Sequence, residues 1–391
     1  HILIPPRRFL ITGALSLMLS TSIFSTSAYS ISREDRMSPL AAGYLERARI
    51  MLNNGNYAGV VDQLRHLETQ GVDLSVQDRE DFTYLLALAL YNRGDADCVD
   101  LLRQFAEEYP ASIQAMPARL AAADYFFFAH RFNGALAAYE EIDYSRINPS
   151  DRPLYDYRKA LSMIKSGRYA EARPIFEKLR DNRKLNLASD YYIAYLDYID
   201  GNYDKAYNGF EDVAARTGGN SRDGIAPEYY LAQIDYTRGA YDRVISLGTR
   251  LLDNDPVDDL VPETERIIGL SYFKQGDYGN AETFLSRYVN TADINPAADA
   301  VYTLGVIDYR NADYDSAQKR FASLTELNND LAQSSYLYLG QIAVREGDSN
   351  AAAISFEKAS KMNFDRNVTE TAMFNYIAAR TRLSLIHISE P

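Results

Sequence analysis

Tryptophan is absent from this 391-residue sequence, and cysteine occurs once, at Cys98. A single cysteine excludes an intramolecular disulfide framework and any zinc or iron–sulfur site that needs several thiolates. Basic residues are also outnumbered, because 41 Lys and Arg stand against 54 Asp and Glu, for a net charge of -13. Nucleic-acid binding needs clustered positive charge, so we expect no nucleic-acid partner.

Catalytic motifs are missing as well. The sequence contains no GxxxxGK[ST], GxGxxG, HExxH or GxSxG string, and these strings are typical of phosphate, dinucleotide, zinc-hydrolase and serine-hydrolase sites. His66 and His130 have no nucleophile and carboxylate in a recognisable arrangement. We therefore expect no enzyme, no catalytic residue, no metal site and no cofactor. The alternative of an enzyme requires a catalytic domain outside this sequence.

The N-terminal region has the pattern of an export signal. Arg7 and Arg8 precede an apolar run over residues 9–24, and Thr26 and Ala28 are the small residues that follow. This order predicts a secretory signal peptide over residues 1–28, followed by a linker over 29–39. An uncleaved membrane anchor is the alternative, although the run is shorter than the roughly 20 residues that span a bilayer. Cysteine is absent here, so lipoprotein attachment is not expected.

The last nine residues, 383–391, read LSLIHISEP and do not continue the preceding helical pattern. We interpret them as a non-native tail and leave them out of the predicted fold.

A six-residue phrase recurs nine times between these ends, with examples in GRYAEA, GNYDKA and GDYGNA. The phrases start at residues 55, 94, 130, 167, 201, 239, 276, 312 and 347, so successive starts are 34 to 39 residues apart. The residue seven positions before each start is always Ala or Gly. The phrase closes on Ala or Val, and a bulky residue follows four positions later in most repeats. Arg103 and Gly248 break this last rule, which predicts less regular packing in repeats two and six.

These spacings predict two amphipathic helices joined by a tight turn in every repeat. The first helix carries the small residue, where the backbone of the second helix approaches closely. The turn residue takes the left-handed conformation that Gly favours, and the aromatic residue of the phrase fills the gap between the helices. Neither helix buries its apolar face alone, so neighbouring pairs must stack into one continuous core.

The small residue, the GDY-like phrase, the closing Ala and the later Phe resemble the tetratricopeptide repeat. The resemblance covers residues 40–382, with nine repeats and the first helix of a tenth. It implies an all-α fold, an α-solenoid in which antiparallel helix pairs stack into a right-handed superhelix. The absence of Trp and the replacement of the turn Gly by His130 and Ala312 depart from the family pattern. The longest connections, at 214–227 and 253–262, are the expected sites of a bend.

The resemblance also implies a binding face. In this family the concave surface is lined by the first helices, through positions three before, one after and four after the small residue. The predicted partner-binding residues are Tyr84, Tyr91, Phe127, Tyr157, Tyr191, Tyr195, Tyr198, Tyr229, Tyr236, Arg266, Tyr302 and Tyr309. Tyrosine suits recognition because it combines a large contact area with a polar tip. The alternative is that many of these rings pack between repeats.

The expected partner is a protein or peptide with apolar and basic groups. Relatives that bind acidic C-terminal tails use a basic carboxylate clamp on these positions, whereas this sequence has only Arg49 and Arg266 there, so we expect no such tail. We expect membrane association only through an envelope partner or an uncleaved signal. The resemblance implies a non-catalytic scaffold in the periplasm, or on the periplasmic face of the outer membrane, of a Gram-negative bacterium. The alternative is a glycan-binding envelope protein that uses the same aromatic face, although the absence of Trp argues against it.

Overall fold

The computed structural model describes residues 39–218, 226–253, 260–291 and 295–389, with the backbone alone over 383–389. The predicted signal peptide and nearly all of the predicted linker lie outside these residues. The described part is built from 19 α-helices and one short 3-10 helix, and it contains no strand. The predicted all-α solenoid of helix pairs is confirmed.

The described chain divides into two compact units, an N-terminal unit up to Arg216 and a C-terminal unit from Thr217 onward. The boundary falls within the long connection predicted over 214–227. The N-terminal unit contains α1 (Pro39–Asn53), α2 (Tyr57–Thr69), α3 (Val76–Arg93), α4 (Cys98–Glu108), α5 (Ala115–Phe128), α6 (Phe132–Glu140), α7 (Arg152–Lys165), α8 (Tyr169–Leu179), α9 (Asn186–Ile199) and α10 (Tyr203–Thr217).

The C-terminal unit continues the alternation of first and second helices. It contains α11 (Pro227–Thr237), α12 (Tyr241–Asp253), α13 (Val261–Lys274), α14 (Tyr278–Asn290), α15 (Ala298–Arg310), α16 (Tyr314–Ser323), α17 (Asp330–Glu346), α18 (Ser349–Lys361) and α19 (Arg366–Ser389). Odd-numbered helices are the first helices of their repeats, so α19 is the first helix of a tenth repeat. It extends into the segment interpreted as a non-native tail.

The turn predicted at the start of each phrase is confirmed in all nine repeats. Seven of these residues are glycines with positive φ, and the other two are His130 with φ 57° and Ala312 with φ 62°. A side chain with a Cβ is strained in this region, which explains why glycine dominates. The sequence therefore predicts which residue reverses the chain between the two helices of each repeat.

The close approach between first and second helices is also confirmed. A Cβ built on Gly269 would lie 2.7 Å from Cγ of Leu285, and one on Gly305 would lie 3.0 Å from Cε1 of Phe321. The first distance is shorter than real Cβ contacts and the second is tighter than nearly all of them, so a small residue at this position leaves room for the bulky residue of the second helix. In these repeats one small residue of the first helix packs against one bulky residue of the second helix.

Repeats two and six, which lack the bulky residue of the second helix, pack differently. In repeat two, Arg103 is half-exposed and Phe105, two residues later, is fully buried in its place. In repeat six, Gly248 leaves room for the following first helix, because a Cβ there would lie 2.7 Å from Cγ1 of Ile268. The missing bulky side chain is therefore replaced by a neighbour in each case.

None of the described helices combines the length and the apolar character needed to span a bilayer.

Candidate interaction surfaces on the first helices

The predicted residues three positions before the small residue are mostly packing residues. Their rings meet aromatic side chains of the second helix in the same repeat, with centroids 5.1 to 6.1 Å apart. These pairs are Tyr84–Phe105, Tyr157–Phe176, Tyr191–Phe210 and Tyr302–Phe321. Tyr229 occupies the same position, lies edge-on to Tyr230 and is 1% exposed. Only Tyr302 in this set is half-buried rather than buried.

The residues four positions after the small residue meet the aromatic residue of the phrase. The ring pairs are Phe127–Phe132, Tyr198–Tyr203, Tyr236–Tyr241 and Tyr309–Tyr314, all edge-on with centroids 5.5 to 6.0 Å apart. Phe127 and Tyr198 are buried, whereas Tyr236 and Tyr309 keep part of their surface exposed. This recurring pair holds the end of the first helix against the start of the second. Tyr195, one position after its small residue, is buried. Burial, with a smaller contribution from its hydrogen bond to Tyr169, raises the pKa of Tyr195.

Arg266 occupies a predicted binding position but is held inside the C-terminal unit. Its side chain is 1% exposed and pairs with Glu263 at 2.5 Å and with Asp299 of the next first helix at 2.5 Å. Two carboxylates satisfy the guanidinium, so it has little capacity left for a partner's carboxylate. Asp299 is itself 35% exposed, so the outward charge of this group is acidic.

The predicted residues that remain partly accessible are Tyr91 in the N-terminal unit and Tyr236, Tyr302 and Tyr309 in the C-terminal unit. The structure adds Tyr338 of α17, which the sequence reasoning missed because it lies two positions before its small residue. Tyr338 stacks on Phe321 with centroids 4.7 Å apart, and it lies 6.2 Å from Tyr302 and 5.1 Å from Tyr309. We call Tyr302, Tyr309 and Tyr338 the tyrosine cluster.

The tyrosine cluster combines apolar ring surface with three hydroxyl groups. All three rings are half-buried, and burial raises the pKa of Tyr302 to about 12 and also raises that of Tyr338. Tyr302 and Tyr338 therefore stay neutral at physiological pH, and their hydroxyl groups can donate hydrogen bonds. Arg345 donates from Nε to the Tyr309 hydroxyl at 3.2 Å and lies 5.5 Å above that ring. This contact fixes one side of the cluster.

An acidic group adjoins the cluster on the same helices. Asp299 precedes Tyr302 by three residues on α15 and therefore lies on the same face of the helix. Burial raises the pKa of Tyr236 to about 12, and the negative charge of Asp299 contributes to the shift, so Tyr236 on α11 lies close to this group. Partly accessible tyrosine rings of α11, α15 and α17 and a partly exposed carboxylate of α15 thus lie on the first helices of the C-terminal unit.

The N-terminal unit has a different arrangement on its first helices. Asp124 of α5 pairs with Arg158 of α7 and accepts a hydrogen bond of 2.5 Å from the Tyr139 hydroxyl. Arg158 also lies 5.0 Å above the ring of Phe128. Burial raises the pKa of Asp124, although Arg158 and Tyr139 act in the opposite direction. The buried group of Asp124, Tyr139 and Arg158 thus joins neighbouring repeats. Among the predicted residues on α3, α5 and α7, only Tyr91 is partly accessible.

An open polar depression of about 680 Å³ lies among α8, α9 and α10 of the N-terminal unit. Its basic residues are already engaged, because Arg180 and Arg216 both pair with Asp190, at 2.7 and 2.6 Å. The guanidinium groups that line the depression are therefore paired with a carboxylate of the same chain.

The chain is similar in sequence to known repeat families and in fold to several solved structures. Two tetratricopeptide repeat models match parts of the chain, one over residues 157–222 and 302–362 and the other over residues 83–112. No curated protein matches the chain.

Solved structures with the same type of fold are similar at low identity. A tetratricopeptide repeat protein from Parabacteroides merdae is 14% identical, with 76% of this chain and 98% of that chain covered and a TM-score of 0.44. The C-terminal part of a repeat protein from Cytophaga hutchinsonii is 13% identical, with 64% and 98% covered and a TM-score of 0.44. YrrB, described as a repeat protein with an unusual peptide-binding site, is 16% identical, with 51% and 97% covered and a TM-score of 0.42.

Proposed function

We propose that this tetratricopeptide-like chain is a non-catalytic scaffold of the bacterial cell envelope that binds a protein or peptide on its tyrosine-rich first-helix face. Proteins built from tetratricopeptide repeats are generally protein-interaction scaffolds and typically have no catalytic activity of their own. The observation that carries the proposal is the tyrosine cluster, where three half-buried tyrosine rings lie against one another.

The chemistry of this surface favours a partner with apolar and basic side chains. Asp299 supplies a carboxylate beside the rings, whereas Arg266 is buried between two carboxylates. Neutral tyrosine faces also attract Lys and Arg side chains through cation–π contacts. A peptide that places a basic residue near Asp299 and an apolar residue on Tyr338 fits both features.

The export pattern around Arg7, Arg8 and the apolar run over 9–24 supports a location in the periplasm, or on the periplasmic face of the outer membrane, of a Gram-negative bacterium. Fractionation of a strain that produces the tagged protein tests this location. Recovery of the protein with an intact signal in the cytoplasmic fraction would contradict it.

Crosslinking and affinity purification from native envelopes, with partners identified by mass spectrometry, test the scaffold function. The informative variant is Tyr302→Phe with Tyr338→Phe, which removes two hydroxyl groups and keeps the ring packing. We expect it to reduce recovery of a specific partner several-fold. Tyr272→Phe is the matched control, because Tyr272 is half-buried in the same unit but stacks on Phe284 of the second helix. Equal recovery with all variants would contradict binding at the cluster.

Glycan binding by the same aromatic face is the alternative, since exposed rings can stack on sugars. Titration against a glycan panel separates the two functions. Saturable glycan binding that the double variant weakens, without a protein partner, would favour the alternative over the scaffold.

A further inference from the structure

Two exposed arginines lie at the C-terminal ends of neighbouring first helices. Arg310 is the last residue of α15, and Arg345 is the second-last residue of α17. Within the described part of the chain, neither guanidinium forms an ion pair with a carboxylate. Arg320 of the same unit differs, because it pairs with Asp308 at 2.8 Å. We call Arg310 and Arg345 the arginine pair.

Tyrosine rings support both guanidinium groups. Cζ of Arg310 lies 4.0 Å from the centroid of the Tyr278 ring, and Cζ of Arg345 lies 5.4 Å from that of the Tyr314 ring. Tyr278 and Tyr314 are the aromatic residues of two successive phrases, so the arginine pair repeats one contact in neighbouring repeats. A ring attracts a guanidinium without neutralising its charge. The N–H groups that remain can therefore form charged hydrogen bonds with a carboxylate of a partner.

The arginine pair adjoins the tyrosine cluster. Arg345 donates from Nε to the Tyr309 hydroxyl at 3.2 Å. Burial raises the pKa of Tyr338, whereas the charge of Arg310 acts in the opposite direction, so Arg310 lies close to that ring. Both arginines stand five positions after the small residue of their repeat, which is not a position of the carboxylate clamp described for relatives. The pair therefore forms a separate basic border of the cluster.

The opposite ends of the same two helices are acidic. Asp299 is the second residue of α15 and is partly exposed, and Asp330 is the first residue of α17 and is exposed. Burial, the neighbouring Tyr338 and, less strongly, the charge of Asp330 raise the pKa of Tyr302, so Asp330 lies near the cluster. Asp299 and Arg310 are eleven positions apart, which is close to three full helical turns, so they lie on one side of α15.

We infer that the arginine pair binds carboxylate side chains of the partner, so that a bound peptide is basic at the Asp299 end of the tyrosine cluster and acidic at the Arg310 end. This inference rests on the proposed function, because it assigns the order of charges along a peptide on that cluster. Asp299 and Arg310 are about 16 Å apart along the helix axis, a distance that about five residues of extended peptide span. The partner segment thus carries a basic residue, an apolar centre and acidic residues in that order along α15.

Fluorescence anisotropy with two labelled peptides tests the inference. The first probe carries a Lys, an apolar centre and two Glu residues that begin about five residues from the Lys, and the second probe has Gln in place of both Glu. Arg310→Gln and Arg345→Gln should each weaken binding of the Glu peptide about threefold. Neither substitution should alter binding of the Gln peptide, because that peptide has no carboxylate side chain to pair with the arginine.

Arg287→Gln is the matched control. Arg287 is exposed in the same unit and lies 5.4 Å from the centroid of the Phe284 ring, but it stands on the second helix α14. The control removes the same charge from the chain, so a general effect of net charge would weaken binding of the Glu peptide equally. Thermal unfolding of each variant verifies that it folds like the wild type.

Two results would overturn the inference. One is an equal effect of Arg345→Gln on both peptides, or an effect on the Glu peptide no larger than that of Arg287→Gln. If Tyr302→Phe with Tyr338→Phe still weakens binding of both peptides, this result leaves the proposed function uncontradicted. The other is a wild type that binds neither peptide, which would contradict peptide binding at the tyrosine cluster as well.

Discussion

Single residues at the turns determine where each helix pair reverses. Seven of the nine turn positions hold glycine, while His130 and Ala312 adopt the same left-handed conformation with a side chain present. The strain at these two positions is local, because it comes from the Cβ and the adjacent backbone. The difference between a Gly and a non-Gly turn can therefore be tested without altering the core.

The substitution Ala312→Gly should increase stability. Glycine relieves the strain of the left-handed conformation, and the expected gain in the free energy of unfolding is about 1 kcal/mol. Urea unfolding of the variant and the wild type measures it. The reverse change Gly347→Ala, at the equivalent turn of the next repeat, should lose a similar amount. A lower unfolding midpoint for Ala312→Gly would contradict this explanation of the turn.

Gln333 is a second residue with effects beyond its size. Its side chain is fully buried on α17. Its Nε2 faces four acceptors, and its Oε1 accepts from the backbone N–H groups of Phe364 at 3.1 Å and Asp365 at 2.7 Å. Gln333 thus holds the connection between α18 and α19.

We expect Gln333→Leu to lower the free energy of unfolding by about 2 to 4 kcal/mol, because the buried Gln333 amide and the part-buried backbone groups around it lose their hydrogen bonds. The matched control is Gln341→Leu, a half-buried position on the same helix. Denaturant unfolding compares the two variants. An equal, small effect in both would show that the hydrogen bonds of Gln333 contribute little.

Glu228 makes stability depend on pH. Its carboxylate is buried on α11, and Arg250 approaches it only to 3.9 Å. Neither carboxylate oxygen is hydrogen-bonded to another residue. Burial raises the pKa of Glu228 above its ordinary value of 4.5, although a hydrogen bond from its own backbone N–H and, less strongly, the charge of Arg250 act in the opposite direction. The folded state therefore holds this proton more tightly than the unfolded state.

As pH rises from about 4.5 through the raised pKa of Glu228, the contribution of this group to stability should fall. Glu228→Gln removes the ionisable group and should be more stable than the wild type by about 1 kcal/mol at pH 7, with a smaller or no difference at pH 4. Thermal unfolding at both pH values measures this. Glu282→Gln, an exposed position on α14, serves as the control. A destabilised Glu228→Gln at pH 7 would mean that Arg250 outweighs the burial.

At the scale of helix pairs, most of the predicted tyrosines pack between the first and second helices. One set of rings packs on the second-helix aromatic residue of the same repeat, as in Tyr191–Phe210. Another set packs on the phrase aromatic, as in Tyr198–Tyr203. These contacts bury most of the residues that the sequence predicted as a binding face. Whether the buried rings also contact a partner stays a prediction.

Neighbouring first helices are joined by buried ion pairs, and Arg266 gives the clearest test. Arg266→Met should leave Glu263 and Asp299 without their cation and lower the free energy of unfolding by about 3 to 5 kcal/mol. Arg310→Met is the control, since Arg310 is exposed at the end of α15. The midpoint of urea unfolding compares them. A stable Arg266→Met variant that loses a partner would instead support the predicted binding role.

The net charge acts on the scale of the whole molecule. At -13, the chain attracts basic peptides and repels acidic ones over distances set by the salt concentration. If the scaffold proposal holds, a peptide with apolar and basic residues should bind several-fold more weakly at 0.5 M than at 0.05 M salt. Fluorescence anisotropy measures this, with the charge-reversed peptide as control. Salt-independent binding would show that charge is not important for recognition.

The repeat pattern by itself determined most of the architecture. Helix pairs, the nine turns and the contact of small with bulky residues follow from local spacing, because a helix turn has a fixed period and a left-handed turn favours Gly. Even the replacement of the turn Gly by His130 and Ala312 left the reversal in place.

Only the tertiary structure decided which side chains are accessible. Positions on one helix face look alike in sequence, yet Tyr229 is buried and Tyr309 is half-exposed. The outcome depends on rings and charges from other helices, such as Phe210 against Tyr191, Asp299 against Arg266, and Tyr338 against Tyr302 and Tyr309. The burial of a side chain is set by neighbours that are distant in sequence. Helical periodicity therefore predicts which face of a helix a residue lies on, whereas packing between helices decides whether that residue is accessible.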